Sequence, residues 1–211
     1  FNRADSATTL GTPSDAGSAW VESVSGAWQI LSNQAISSGG GVKTAYLESS
    51  LADADLQVTF KTSGGTSNQG LLMRYSDASN YWFLYCLNNY FHLCKRVAGS
   101  NTDPVFSNDT VTIAVNDVVK VSFSGSSWTV YVNDVSKITG TDSFNSTATK
   151  HGFYNDSSGT MTVDDFSITG AASLAIDRDN VLCGSGTVTV ALTGSSTSWT
   201  GTPFSLTGAP S

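Results

Sequence analysis

The chain has 211 residues, with ten Lys and Arg against 17 Asp and Glu for a net charge of -7. That length buries a full core without disulfides, and the acidic balance, with no basic run beyond Lys95-Arg96, argues against binding to a phosphate backbone. No apolar stretch approaches the length that crosses a bilayer as a helix.

Gly, Ser, Thr, Asn and Asp punctuate the sequence, and apolar residues recur with a period of two, so short strands joined by polar turns are expected throughout. In chain order the predicted strands are 27–31, 44–47, 56–61, 71–75, 81–87, 91–97, 111–115, 118–123, 128–132, 151–154 and 160–168. Their spacing of about ten residues is that of an all-β antiparallel sandwich. Near Gly170-Ala171-Ala172 the composition shifts. We therefore expect one domain over 1–170 and a partial β unit over 171–211, with strands at 187–192 and 204–206.

The densest segment is 70–97, GLLMRYSDASNYWFLYCLNNYFHLCKRV, which holds three strand-like runs, seven Phe, Tyr or Trp residues and two of the three cysteines. A hairpin centred on Tyr90 sets Cys86 opposite Cys94. A cross-strand disulfide is then expected, with two buried thiols as the alternative and Cys183 left over. In that register Trp82, Leu84, Cys86, His92, Cys94 and Arg96 share one face, and Tyr81, Phe83, Tyr85, Phe91, Leu93, Lys95 and Val97 share the other. The second set is the more apolar and is assigned to the core. Sugars pack their C–H faces on aromatic rings while Arg, Asn, Asp and His bind their hydroxyls. The candidate glycan-binding residues are accordingly Arg74, Trp82, Asn88, Asn89, Tyr90, His92 and Arg96, with Trp199 a further loop candidate.

The succession FNRADSATTLG, SAWVESVSGAWQILSNQA, GLLMRYSDASNYWFLY, CKRVAGS, WTVYVNDV, HGFYND and VDDFSIT resembles the concanavalin A-like, laminin G-like jelly-roll domains of secreted bacterial and virion surface proteins. The tail TVTVALTGSSTSWTGTPFSLTG resembles the first half of a bacterial immunoglobulin-like repeat. The first resemblance implies two antiparallel sheets packed face to face, first and last strands adjacent, and carbohydrate binding on a sheet face or rim loops. Calcium recurs in that superfamily, and a site joining Asp5 to Asp164 or Asp165 is the option left open. No other cofactor is implied.

Catalytic signatures are absent from the sequence. Retaining glycosidases place two carboxylates about the scissile bond, yet Glu22 and Glu48 are the only glutamates, far apart in sequence, and Asp53/Asp55 or Asp164/Asp165 are the only substitutes. His92, between Arg74 and Arg96, is the nearest approach to a lyase base. For zinc, His92 and Cys94 alternate onto one face but supply only two neighbouring ligands, with Cys86 as the remaining option. The reading is a non-catalytic, extracellular glycan-binding or adhesion domain. The alternative is a structural subunit of a virion or extracellular filament that joins copies of itself through the C-terminal β segment.

Overall fold

Strand alternation builds two layers. The computed structural model describes residues 1, 4–13, 18–37, 39–62, 68–87, 90–156, 159–171, 173–175 and 191–193. Its strands are β1 (Val21–Glu22), β2 (Trp28–Leu31), β3 (Gln34–Ser37), β4 (Val42–Glu48), β5 (Ala54–Phe60), β6 (Gln69–Asp77), β7 (Asn80–Leu87) and β8 (Tyr90–Val97). They continue with β9 (Ser100–Ser107), β10 (Val118–Ser124), β11 (Ser127–Val132), β12 (Val135–Thr141), β13 (Lys150–Asp156), β14 (Met161–Gly170), β15 (Ser173–Ala175) and β16 (Ala191–Thr193). One seven-stranded sheet runs β1-β4-β13-β6-β7-β8-β9 and the other β12-β11-β10-β5-β14-β3-β2, all antiparallel.

The all-β sandwich expected from the sequence is present, and β14, the last strand of the sandwich, lies beside the early strand β3. Five strands went unforeseen: β1, β3 and β15, together with β9 and β12. The last two close the edges of the sheets, where a polar strand such as SNTDPVFS, with its Pro104, is tolerated because one side of its backbone needs no partner. Residues 111–115 are not a strand. Val111 and Ile113 are nonetheless buried, plugging the core from a loop.

Between the sheets lies a core that includes Trp28, Phe60, Trp82, Phe123, Trp128 and Phe153, all essentially without solvent exposure. The chain divides into two compact units, Phe1–Ala171 and Ala172–Ser211. Within the second, β15 pairs with β16. The expected strand at 204–206, most of that at 187–192, and Cys183 and Trp199 lie outside the described residues.

A buried histidine gives the sandwich a pH dependence. The Nδ1 atom of His151 accepts from the backbone N–H of Arg74 at 3.0 Å, and its Nε2–H donates to the Leu51 carbonyl at 2.8 Å. A neutral imidazole satisfies both bonds, and burial pulls its pKa from 6.5 down to about 4, with the Arg74 charge acting in the same direction. The unfolded chain therefore binds a proton below pH 6.5 that the folded chain refuses until about pH 4. Stability is highest above pH 6.5 and falls as pH drops from there toward 4. Urea unfolding should show a loss of about 2 kcal/mol from this group between pH 7 and pH 5. His151→Gln should remove that part of the slope, and an unchanged slope would refute the assignment.

Candidate functional site: a tyrosine-lined sheet face

The site is set by the register of β7 against β8. Tyr81 pairs with Arg96, Phe83 with Cys94, Tyr85 with His92 and Leu87 with Tyr90, which leaves two residues between the strands. Two-residue connections are the favoured hairpin loops. The expected pairing of Cys86 with Cys94 is thus off by three residues, and an odd shift exchanges the faces of one strand relative to the other. Cys86 faces the inter-sheet core beside Phe91, and Cys94 lies in a separate cluster on the opposite face. Both thiols are free and buried, so the cross-strand disulfide is replaced by the alternative reading.

The same shift corrects the assignment of the aromatic residues. Trp82, Leu84, Cys86, Phe91 and Leu93 fill the inter-sheet core. Tyr81, Phe83, Tyr85 and Cys94 turn to the outer face with Leu72 of β6 and Tyr154 of β13, and Tyr46, Tyr75 and Tyr90 pack around them partly exposed. Six of the seven tyrosines of the chain therefore gather on one sheet face. The physical reason is the phenol, which needs a polar partner or water while the ring covers apolar surface. That division between Trp/Leu/Cys and Tyr along YWFLYC was the signal available in the sequence, and assigning the tyrosines to the core overlooked it.

The rings make a continuous ribbon across the strands. Tyr46 stacks on Tyr75 with centroids 4.5 Å apart, and Tyr75 on Tyr81 at 5.7 Å. Tyr154 stacks on Phe83 at 4.6 Å, Phe83 meets Tyr85 edge-on at 5.0 Å, and Tyr85 leads to Tyr90 at 5.9 Å. Charges flank it: Lys150 Nζ lies 5.6 Å from the Tyr46 ring centre, and Arg96 Nη1 donates to Asn101 Oδ1 at 2.9 Å. Arg96 Nε is buried and has no hydrogen-bond partner among the described residues. Burial raises the pKa of Tyr75 and Tyr81 and pushes Tyr85 up to about 12, so these phenols stay neutral and able both to donate and to accept.

Of the residues singled out from sequence, Tyr90, His92 and Arg96 belong to this face. Trp82 does not: it is fully buried in the inter-sheet core, donating its indole N–H to the Phe144 carbonyl at 2.9 Å. Arg74 does not either. A bulge in β6 between Met73 and Asp77 puts Arg74 at φ +46° with its guanidinium fully buried against Phe123 and Trp128. There Nη2 reaches Asp53 at 3.1 Å, and Nη1 and Nε donate to the carbonyls of Gly125 and Ala52. Asn88 and Asn89 lie outside the described residues. Tyr46, Tyr75, Tyr81, Tyr85 and Tyr154 were missed.

Of the carboxylates considered for hydrolysis, Asp55 has a buried Oδ1 with no hydrogen-bond partner among the described residues, and the others make local contacts. Glu22 accepts from the Leu10 N–H at 2.7 Å and from Thr9, and Glu48 accepts from the Ser50 N–H at 3.2 Å. Asp53 anchors Arg74 and the Gly125 N–H. Asp5 caps the Ser32 N–H at 2.8 Å, while Asp164 accepts from the backbone N–H of Asp165.

The architecture is that of the jelly-roll β-sandwiches found among carbohydrate-binding modules. The carbohydrate-binding module CBM66 from Bacillus subtilis is 15% identical, with 71% of this chain and 94% of that one covered at a TM-score of 0.58, a likeness that establishes the fold. Looser similarities are to domain 4 of an extracellular GH43 arabinanase from Geobacillus stearothermophilus, solved with arabinotriose, and to chicken galectin 2. The first is 16% identical with 64% of this chain and 69% of that one covered, TM-score 0.44; the second is 10% identical with 58% and 96% covered, TM-score 0.41. No protein-family model and no curated protein matches the sequence.

Proposed function

We propose that the tyrosine-lined face of the β1–β9 sheet binds a glycan without catalysing its cleavage, in an extracellular setting. The gathering of six of seven tyrosines on one outer face carries the reading. Tyr81, Tyr85 and Tyr154 are buried and support the partly exposed rings of Tyr46, Tyr75 and Tyr90, which a sugar matches with hydroxyls and C–H faces. Arg96, whose guanidinium donates to Asn101 Oδ1, supplies a donor at the edge of the ribbon. The net charge of -7 favours a neutral polysaccharide over a sulfated or uronic one. The fold shared with a carbohydrate-binding module agrees with a binding role.

Affinity electrophoresis and calorimetry against a panel of neutral polysaccharides test it. Tyr75→Ala, at a partly exposed ring of the ribbon, should weaken binding about tenfold or more, the loss of one contact of about 1–2 kcal/mol, with little effect on stability. Failure of the panel to bind, or binding unchanged in Tyr75→Ala and Arg96→Ala, would refute the proposal.

A further inference from the structure

At the β8–β9 end of the same sheet, His92, Cys94 and Asp103 bring one nitrogen, one sulfur and one oxygen donor within 4.8 Å of one another. The geometry points to a binding site for a borderline-soft divalent transition metal, zinc being the type case, with His92 Nδ1, Cys94 Sγ and Asp103 Oδ1 as its ligands. This does not rest on the glycan reading, and its ligand is of another chemical class.

The third ligand could not be seen in the sequence, because strand irregularity delivers it. On β8 only Cys94 lies between Leu93 and Lys95, but on the facing strand their partners Phe106 and Thr102 are separated by Asp103, Pro104 and Val105. Such a bulge bends the strand and re-aims a side chain. Here it carries the Asp103 carboxylate to 2.7 Å from His92 Nδ1 and 3.1 Å from Cys94 Sγ.

The remaining contacts are those a metal site needs around its ligands. His92 Nε2 lies 2.8 Å from Asp109 Oδ1, so the Nε2–H is held by a carboxylate and the Nδ1 lone pair is left for the metal. Metal-bound histidines almost always donate their other N–H in this way. Tyr90 donates to Asp103 Oδ2 at 2.8 Å, steadying the carboxylate from its far side, and its ring lies 3.6 Å from that of His92, centroid to centroid. Without metal, the Cys94 thiol donates to Asp103, and His92 Nδ1 is hydrogen-bonded to the same carboxylate. Binding displaces the thiol proton and the proton shared between Nδ1 and Asp103, and the ion takes their place between the same three atoms.

Tetrahedral coordination needs ligand separations of about 3.3–3.7 Å, a fraction of an ångström wider than the two contacts Asp103 now makes, with Nδ1 and Sγ within 4.8 Å of each other. The Asp103 side chain, one-quarter exposed, is the part free to retreat. Its exposure also leaves the fourth position to water or an incoming ligand. Thiolate and imidazole donors select against calcium and magnesium, which take oxygen.

Cobalt(II) titration of the full chain, freed of metal by a chelator and kept reduced, is the test. We expect a 1:1 complex with tetrahedral d–d bands and a thiolate-to-metal charge-transfer band, both displaced by zinc. Cys94→Ser should abolish the charge-transfer band, whereas Cys86→Ser and Cys183→Ser should keep it. Asp109→Asn, which alters no ligand, should lower affinity about 10–100-fold. If Cys94→Ser fails to give the near-ultraviolet circular dichroism of the parent, Asp103→Asn at the exposed edge replaces it and should weaken the complex. No charge-transfer band with excess cobalt, or a band that survives Cys94→Ser or is untouched by Asp103→Asn, would overturn the site.

Discussion

Arg74→Ala should destabilise the sandwich by about 3–5 kcal/mol, a drop in Tm of about 10 °C or more. The guanidinium is fully buried at the seam of the two sheets, and burial lowers its pKa against the opposing pull of Asp53. Its charge is sustained by the Asp53 carboxylate and by the Phe123 and Trp128 rings, each with its centre 4.9 Å from the guanidinium carbon. Removing the side chain leaves a cavity against those rings and strips the Ala52 and Gly125 carbonyls of their donors. Asp53, nearly half exposed, keeps the Gly125 N–H and Ser124 hydroxyl and can turn to water, so it limits rather than adds to the loss. Arg74→Lys should recover only part of the stability, because an ammonium cannot serve three acceptors in the planar fork. Thermal melts of the three proteins check this. Equal melting of Arg74→Ala and the parent would show that the guanidinium does not hold the seam.

The contrast between Arg74 and the tyrosines shows how far the sequence could be read. Strands such as β5 and β10 announce themselves by alternation, and the two-layer fold follows from their number and spacing. The edge strands β9 and β12 carry too little apolar content to stand out, since an edge needs less of it. The orientation of the aromatic meander turned on one number, the length of the loop between β7 and β8. Each strand's own alternation was legible, but an odd shift between strands exchanged Phe91 and Leu93 with His92 and Cys94. Arg74 could not be placed at all by alternation, because the bulge in β6 interrupts it. The same holds for Asp103, which a bulge in β9 brings to His92 and Cys94 across the sheet. Sequence period reports regular strands, and both the buried cation and the cluster of metal donors sit where the strands are irregular.

Trp82→Ala should cost about 3–5 kcal/mol of stability while leaving glycan affinity per folded molecule unchanged. Trp82 comes from β7 in one sheet and meets Trp128 from β11 in the other, centroids 4.6 Å apart. Both indole N–H groups donate to one connection, Trp82 to the Phe144 carbonyl and Trp128 to the Asp142 carbonyl, each at 2.9 Å. The Asp142 carboxylate in turn accepts from the Phe144 N–H at 2.8 Å and pairs with Lys95, whose ammonium lies 5.5 Å from the Trp82 ring centre. The two tryptophans therefore clasp the sheets and the 142–144 segment together. Trp82→Phe should retain most of the packing but leave the Phe144 carbonyl without its donor, costing about 1–3 kcal/mol. A double-mutant cycle of Trp82→Phe with Trp128→Phe should give a coupling of about 0.5–1.5 kcal/mol. Urea unfolding measures all five proteins, and the polysaccharide titration is repeated on those still folded. Tyr75→Ala should behave the opposite way, losing affinity and keeping stability. Loss of affinity in a folded Trp82 variant, with Tyr75→Ala binding normally, would refute the tyrosine-lined face as the glycan site.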